Sequence, residues 1–274
     1  MRLLLLTFLA ASFFVPATAQ NLYDREHSIE FASYLFKSQQ YELAAIEYER
    51  LVFVSPSNDT LKEALIRSYS LNRKFESAIN RLTVFSPDPH LLPGNLANLY
   101  TYNLLALRQY DPARLYLGST PVIPSGRKLY YTTYANLFQR RYATVLEVLK
   151  LLEPLPDSLL TLRKFAQEGL ALPHKSPFLA GALSTVIPGS GKFYTRDWKD
   201  GLISMIMIGA LGFQTYRGFH RDGINSTFGW VYGSIACGFY IGNIYGSIKS
   251  AKRFNKRKAE KLEKRIEDSF YLRP

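Results

Sequence analysis

The apolar residues of this chain fall into three regimes. From Leu3 to Val15 they form a nearly unbroken run behind Met1 and Arg2. From about residue 24 to residue 172 they recur at helical spacing among polar residues. From Pro177 to Ile248 they form long runs again, broken by glycines, and a basic stretch closes the chain. The first regime has the short positive start and apolar core of a secretory signal, and Pro16-Ala17-Thr18-Ala19 supplies an A-x-A cleavage site. A signal peptide over 1–19 is therefore expected, with the mature chain starting near Gln20; no cysteine follows the run, which excludes a lipoprotein anchor. The run is also short for a spanning helix, which needs about 20 residues.

In the second regime, Leu43, Ile46, Tyr48 and Leu51 lie close to a 3.6-residue period and predict a helix with one buried face. Prolines gather near 87–93, 121–124 and 154–156, between predicted helices. A short pattern recurs as well. Gln40-Tyr41-Glu42-Leu43-Ala44, Lys74-Phe75-Glu76-Ser77-Ala78 and Gln109-Tyr110-Asp111-Pro112-Ala113 each read polar, aromatic, acidic, any residue, alanine. The aromatics are 34 and 35 residues apart, and a weaker copy at Arg141-Tyr142-Ala143-Thr144-Val145 follows after 32. A fixed period of this length marks stacked supersecondary units, each too small to bury its own face.

An aromatic three residues before a small residue, at a 34-residue period, resembles the tetratricopeptide repeat. In the first copy Ala32 stands where that family has a small residue on its first helix. Tyr41 and Ala44 open the second helix, Tyr48 follows on the same face, and Pro56 ends the unit. The second copy keeps Tyr69, Phe75, Ala78 and Leu82 but carries Ile66 at the small position. The third keeps Tyr110 and Ala113, with Thr101 and Thr133 at the small positions of the third and fourth. The resemblance implies a helical-repeat solenoid over residues 20–172 whose concave face binds a protein or peptide. A last helix, Asp157 to Leu172, is expected to cap it.

The third regime predicts a membrane domain over 173–248 behind the linker Pro173 to Pro177. Two runs, about 201–217 and 227–248, read as spans; the second is free of charge and about 33 Å long as a helix. A short third candidate covers 177–194. Ser234, Gly238, Gly242 and Gly246 recur every four residues and predict close helix–helix packing, against the preceding span or a second copy in a homo-oligomer. Asn243 is expected to hydrogen-bond across the bundle. The turn between the first two segments, with Pro188, Gly189, Gly191, Tyr194 and Trp198, resembles an uncharacterised bacterial membrane module that pairs Pro-Gly-x-Gly-x-x-Tyr with glycine-rich spans. That resemblance implies membrane embedding and no assigned reaction. Tyr194, Trp198 and Lys199 would be interface anchors.

The fold class expected from all this is all-α: a tetratricopeptide-like solenoid, then a small transmembrane helical bundle, then a basic helical tail over 249–274. Charge adds a side to it. The net charge is +12, and Lys249 to Arg265 holds nine Lys or Arg against Glu260 and Glu263. The basic tail is expected in the cytoplasm, touching anionic lipid, with the repeats periplasmic in a bacterial inner membrane and three crossings between them; if 177–194 only dips in, two crossings leave the tail outside. Nucleic acid is not an expected partner. Pro188-Gly189-Ser190-Gly191-Lys192 fails as a phosphate-binding loop, because Val186 and Phe193 stand where glycine and a hydroxyl are needed. The single cysteine, Cys237, and four scattered histidines offer no metal or nucleophile constellation. The expected role is a scaffold that binds a partner protein outside the cytoplasm, without catalysis or cofactor; a biogenesis or transport factor working through spans and tail is the alternative.

Overall fold

The computed structural model describes residues 24–152 and 154–271, and the expected signal peptide lies outside them. The described residues form helices and turns, with no strand among them. In chain order the α-helices are α1 (Arg25–Lys37), α2 (Tyr41–Val54), α3 (Asp59–Leu71), α4 (Phe75–Phe85), α5 (Gly94–Ala106), α6 (Tyr110–Ser119), α7 (Ser125–Phe138), α8 (Tyr142–Lys150), α9 (Asp157–Leu170), α10 (Pro177–Val186), α11 (Ser190–Tyr194), α12 (Trp198–Asp222) and α13 (Thr227–Tyr271). Local chemistry sets several starts. The Asp24 carboxylate accepts from the His27 backbone N–H, Asn58 accepts from Thr60 and Leu61, and the Ser176 hydroxyl accepts from Leu179.

One turn recurs throughout. Gln39, Arg73, Arg108, Arg140 and Arg196 are left-handed, with φ between 56° and 65°. Each donates its N–H three residues back, and the next residue donates five back, as Gln40 does to Leu35 and Asp197 to Lys192. This is the helix-ending geometry that satisfies terminal carbonyls. It places the aromatic of each sequence copy at the first position of the following helix: Tyr41, Phe75, Tyr110, Tyr142. Trp198 and Gly201 repeat the same aromatic-to-small arrangement at the start of α12.

The chain divides into two compact units, one running to Tyr131 and one beginning at Thr132. In the first, Ala32, Ala44, Ala45, Tyr48, Leu51, Val52 and Leu65 form the core of α1 to α3. Leu43 and Ile46, expected in that core, are 49% and 60% exposed. Tyr48 and Leu51 are buried as expected, and Ala44, Ala45 and Val52 complete the buried face in place of Leu43 and Ile46. Ala78, Ala113, Ile66 and Thr101 are fully buried, so the larger Ile66 and Thr101 are accommodated at the small positions. Bonds at a 32-residue offset join successive pairs: Glu42 to Lys74 at 2.6 Å, Glu63 to Asn95 at 2.8 Å, and Glu49 to Arg81. The Tyr69 hydroxyl donates to Glu49 at 2.9 Å. A buried pair, Ser70 and Asn103, repeats the offset at 33.

In the second unit α8 packs against α9, where Gly169 lies under the Tyr142 ring. Helix α13 runs unbroken for 45 residues, about 68 Å. Its second half buries Phe254, Leu262, Ile266 and Phe270. Phe270 meets the rings of Tyr134 at 5.0 Å and Phe138 at 5.4 Å. Arg265 forms a two-pronged pair with Glu168, and Glu263 pairs with Arg140. Residues 249–271 are thus no detached tail. They share one packed unit with α9.

Among the described residues no helix is long and apolar enough to cross a membrane. The runs at 201–217 and 227–248 lie in α12 and α13, but Gln214 and Arg217 interrupt the first, and glycine, tyrosine, serine and Asn243 dilute the second. The 177–194 segment is two helices of 10 and 5 residues separated by a turn, the longer about 15 Å in length.

A polar-ended groove in the C-terminal helices

The Pro188-Gly189-Ser190-Gly191 turn brings α10, α11, α12 and α13 to one point. Gly189 has φ 88°, and a Cβ there would lie 2.2 Å from the Gly201 carbonyl oxygen. A Cβ on Gly191 would lie 1.9 Å from that of Ala180. Both positions require glycine, the first for its backbone angle as well as its contact. Hydroxyls stitch the same region. Ser184 accepts from the Gly191 N–H at 3.0 Å and bonds the Ser247 hydroxyl at 2.7 Å. Thr195 bonds Ser250 at 2.6 Å, and Ser250 donates to Asp197 at 2.6 Å. Tyr194 accepts from the Ser176 N–H at 3.1 Å and lies under the Lys175 ammonium at 4.4 Å. It clamps the linker. Trp198 is exposed.

Helices α12 and α13 run antiparallel. Gly218 meets Gly229, and Thr215 meets Gly233, so the register pairs residues whose numbers sum to about 447. That register sets Ser204 level with Asn243. Toward the turn between the helices it sets Ile208 level with Phe239. The helices close on Gly229 and Gly233 and spread apart lower down. A groove of about 530 Å³ opens there, lined by Lys192, Ser204, Met207, Ile235, Phe239 and Asn243 among others.

The predicted small-residue stripe faces that opening. Cβ atoms on Gly238 and Gly242 would meet nothing within 4 Å, and Ser234 is exposed. Gly246 borders the Lys192 stem at 3.4 Å. Gly238 and Gly242 therefore pack on no other helix of the chain, and the close packing falls on Gly218, Gly229, Gly233 and Gly181. Sequence spacing cannot separate these two sets, because both are small residues in helical register.

Two polar groups mark the lower end. The Lys192 ammonium donates to Ser204 Oγ at 2.7 Å, and among the described residues no carboxylate pairs with it. Asn243 is 4% exposed, and neither its Nδ2 nor its Oδ1 has a hydrogen-bond partner. The cross-bundle bond expected of Asn243 is thus not made. Lys192, dismissed in sequence with the failed phosphate loop, and Ser204, a polar break in an apolar run, carry no motif that would have joined them to Asn243. Family models, curated proteins and solved structures yield no match to this chain.

Proposed function

We propose that this chain is a membrane-associated helical-repeat adaptor: the N-terminal unit binds a partner protein, and the hairpin of α12 and the first half of α13 seats the molecule in a bacterial membrane. One observation carries the reading. Ile203, Ile206, Phe213, Val231, Phe239 and Ile241 are exposed on two helices that hold no charge over 201–216 and 227–248. An apolar surface that extensive on one molecule is normally covered by lipid or a partner. Trp198 and Trp230, both exposed, lie near the α12 and α13 starts, where interfacial aromatics belong. Insertion would be as a hairpin, with α9 and the end of α13 on one side. The tetratricopeptide-like reading of the first unit is supported by its 32-residue bond ladder and its recurring turn. Exposed Phe31, Tyr34, Leu43 and Ile46 offer it an apolar contact surface.

The signal-like N-terminus favours the extracytoplasmic side for both units. The charge argument against it is weakened, because Arg253 and Arg265 are engaged with Asp197 and Glu168. Alkaline carbonate extraction of cells expressing the full chain tests the seat, and the protein is expected in the membrane pellet. Single cysteines at His174 and Tyr271 in a Cys237→Ser background test the side. Both should react with an impermeant maleimide from the same face. Protein in the soluble fraction, or labelling from opposite faces, overturns the reading.

A further inference from the structure

We propose that the groove between α12 and α13 is a binding site for an acidic lipid, with its anionic head at Lys192 and Asn243 and an acyl chain laid toward Ile235 and Phe239. Such a ligand presupposes the membrane seat proposed above. The groove is graded along its length. At the level of Ser204 and Asn243 it offers the Lys192 ammonium and the buried Asn243 carboxamide, beside a hydroxyl that already donates to the Asp200 carbonyl; a turn or two further on it offers Met207, Ile208, Phe239 and Ile235. The antiparallel register produces that gradient, since it sets the polar residues of both helices at one end.

Three features of the polar end ask for a ligand. A buried carboxamide with no partner is costly, because it has lost its water without gaining a bond. Asn243 is in that condition at both its donor and its acceptor. Lys192 presents an ammonium without a carboxylate, bonded to Ser204 and lying along Gly246. Gly238 and Gly242 leave the wall bare, so a flexible chain can lie against backbone. A volume of about 530 Å³ is within the range of small-molecule sites. An anionic head with ester or hydroxyl oxygens answers Lys192 and the Asn243 donor, and a hydroxyl or the ammonium itself answers Oδ1. A second copy of the chain is a poorer occupant. A facing glycine stripe would cover the wall but bring no anion to Lys192 and no acceptor to Asn243.

The test is native mass spectrometry of the full chain in non-ionic detergent, titrated with phosphatidylglycerol or with phosphatidylcholine of the same chains. Wild type should retain the acidic lipid at least about tenfold better, the scale of one charge-assisted hydrogen bond. Lys192→Gln should remove that preference. Gly238→Leu, whose side chain enters open space, should displace both lipids at an unchanged melting temperature. Asn243→Leu should raise the melting temperature while lowering retention, a combination that a purely structural asparagine does not give. Lys252→Gln with Arg257→Gln, on the exposed tail face, should change nothing. A preference that survives Lys192→Gln and Gly238→Leu, or that falls with the tail pair, overturns the site. So does equal retention of both lipids, or a dimer that Gly238→Leu abolishes with no lipid bound. A wild type that stays in the membrane pellet yet shows no preference leaves the seat standing and removes the groove. A wild type that leaves the membrane removes the seat first.

Discussion

His27 caps the first helix in partnership with Asp24, whose carboxylate accepts from both the His27 backbone and Nδ1 at 2.8 Å. The side-chain hydrogen bond to Asp24 raises the His27 pKa above its ordinary 6.5, and the His27 backbone N–H, joined by that side-chain bond, lowers the pKa of Asp24. A raised histidine stabilises the fold below its unfolded value, and the contribution is lost as pH climbs through the folded one. In an NMR titration the His27 midpoint should lie above 6.5 and fall toward it in Asp24→Asn. Tyr69 and Tyr131 titrate at the other extreme. Burial, joined at Tyr69 by the bond to Glu49, pushes each up to about 12. Both favour the folded state below pH 10, so stability should decline between about 10 and 12, and Tyr69→Phe should flatten that decline in chemical denaturation at those pH values. Asp24 is a residue type that favours a cap, but the bond of Tyr69 to Glu49, 20 residues away, has no sequence signature.

Turns and glycines decide how the elements meet. A left-handed non-glycine residue costs about 1 kcal/mol, part of which a glycine recovers. Gln39→Gly should therefore raise stability by roughly 0.5 kcal/mol or leave it unchanged in a thermal melt, whereas Gln39→Val should lower it by more than 1 kcal/mol. The two glycine classes should separate just as clearly. Gly191→Ala drives a methyl into the Ala180 carbonyl and should destabilise by about 1–3 kcal/mol. Gly242→Ala meets nothing and should be neutral or stabilising by up to about 1 kcal/mol through helix propensity. The recurring aromatic-to-alanine pattern predicted the starts of α2, α4, α6 and α8 because the same left-handed turn precedes each one. The apolar period misplaced Leu43 and Ile46, since it cannot tell which small residues a neighbouring helix selects. The glycine stripe was visible, but its facing an open groove depends on where α12 diverges, which periodicity does not encode.

At the scale of the molecule, residues 249–271 change character most between sequence and structure. Their charge is conspicuous, and it drew attention from Phe254, Leu262, Ile266 and Phe270, which form the buried side of the same helix. Truncation after Lys252 should therefore unfold the second unit and not merely detach a tail. It uncovers Tyr134, Phe138 and Phe165 together. Loss of the Phe270 side chain alone, in Phe270→Ala, should cost about 3–5 kcal/mol. Urea denaturation read through near-ultraviolet circular dichroism checks both variants; a truncated chain that melts like wild type would contradict the packing. The all-helical class was legible throughout. The pairing of the chain's end with α7 and α9 was not, because contacts such as Glu168 with Arg265 span 97 residues.

The continuity of α13 has a mechanical side. Helix α13 contains no proline and stays continuous past Gly246-Ser247, the kink-prone pair near its centre, so it acts as a strut. From Asn243 in the groove to Phe270 against α7 is about 40 Å of one rod. A tilt of about 5° about the groove end would carry Phe270 through roughly 3.5 Å, comparable to the width of the Tyr134 ring it rests on. Any pivot of α13 at the groove would therefore be felt at the aromatic seat at the far end of the same helix, against the bonds that Ser247, Ser250 and Arg265 make along the way.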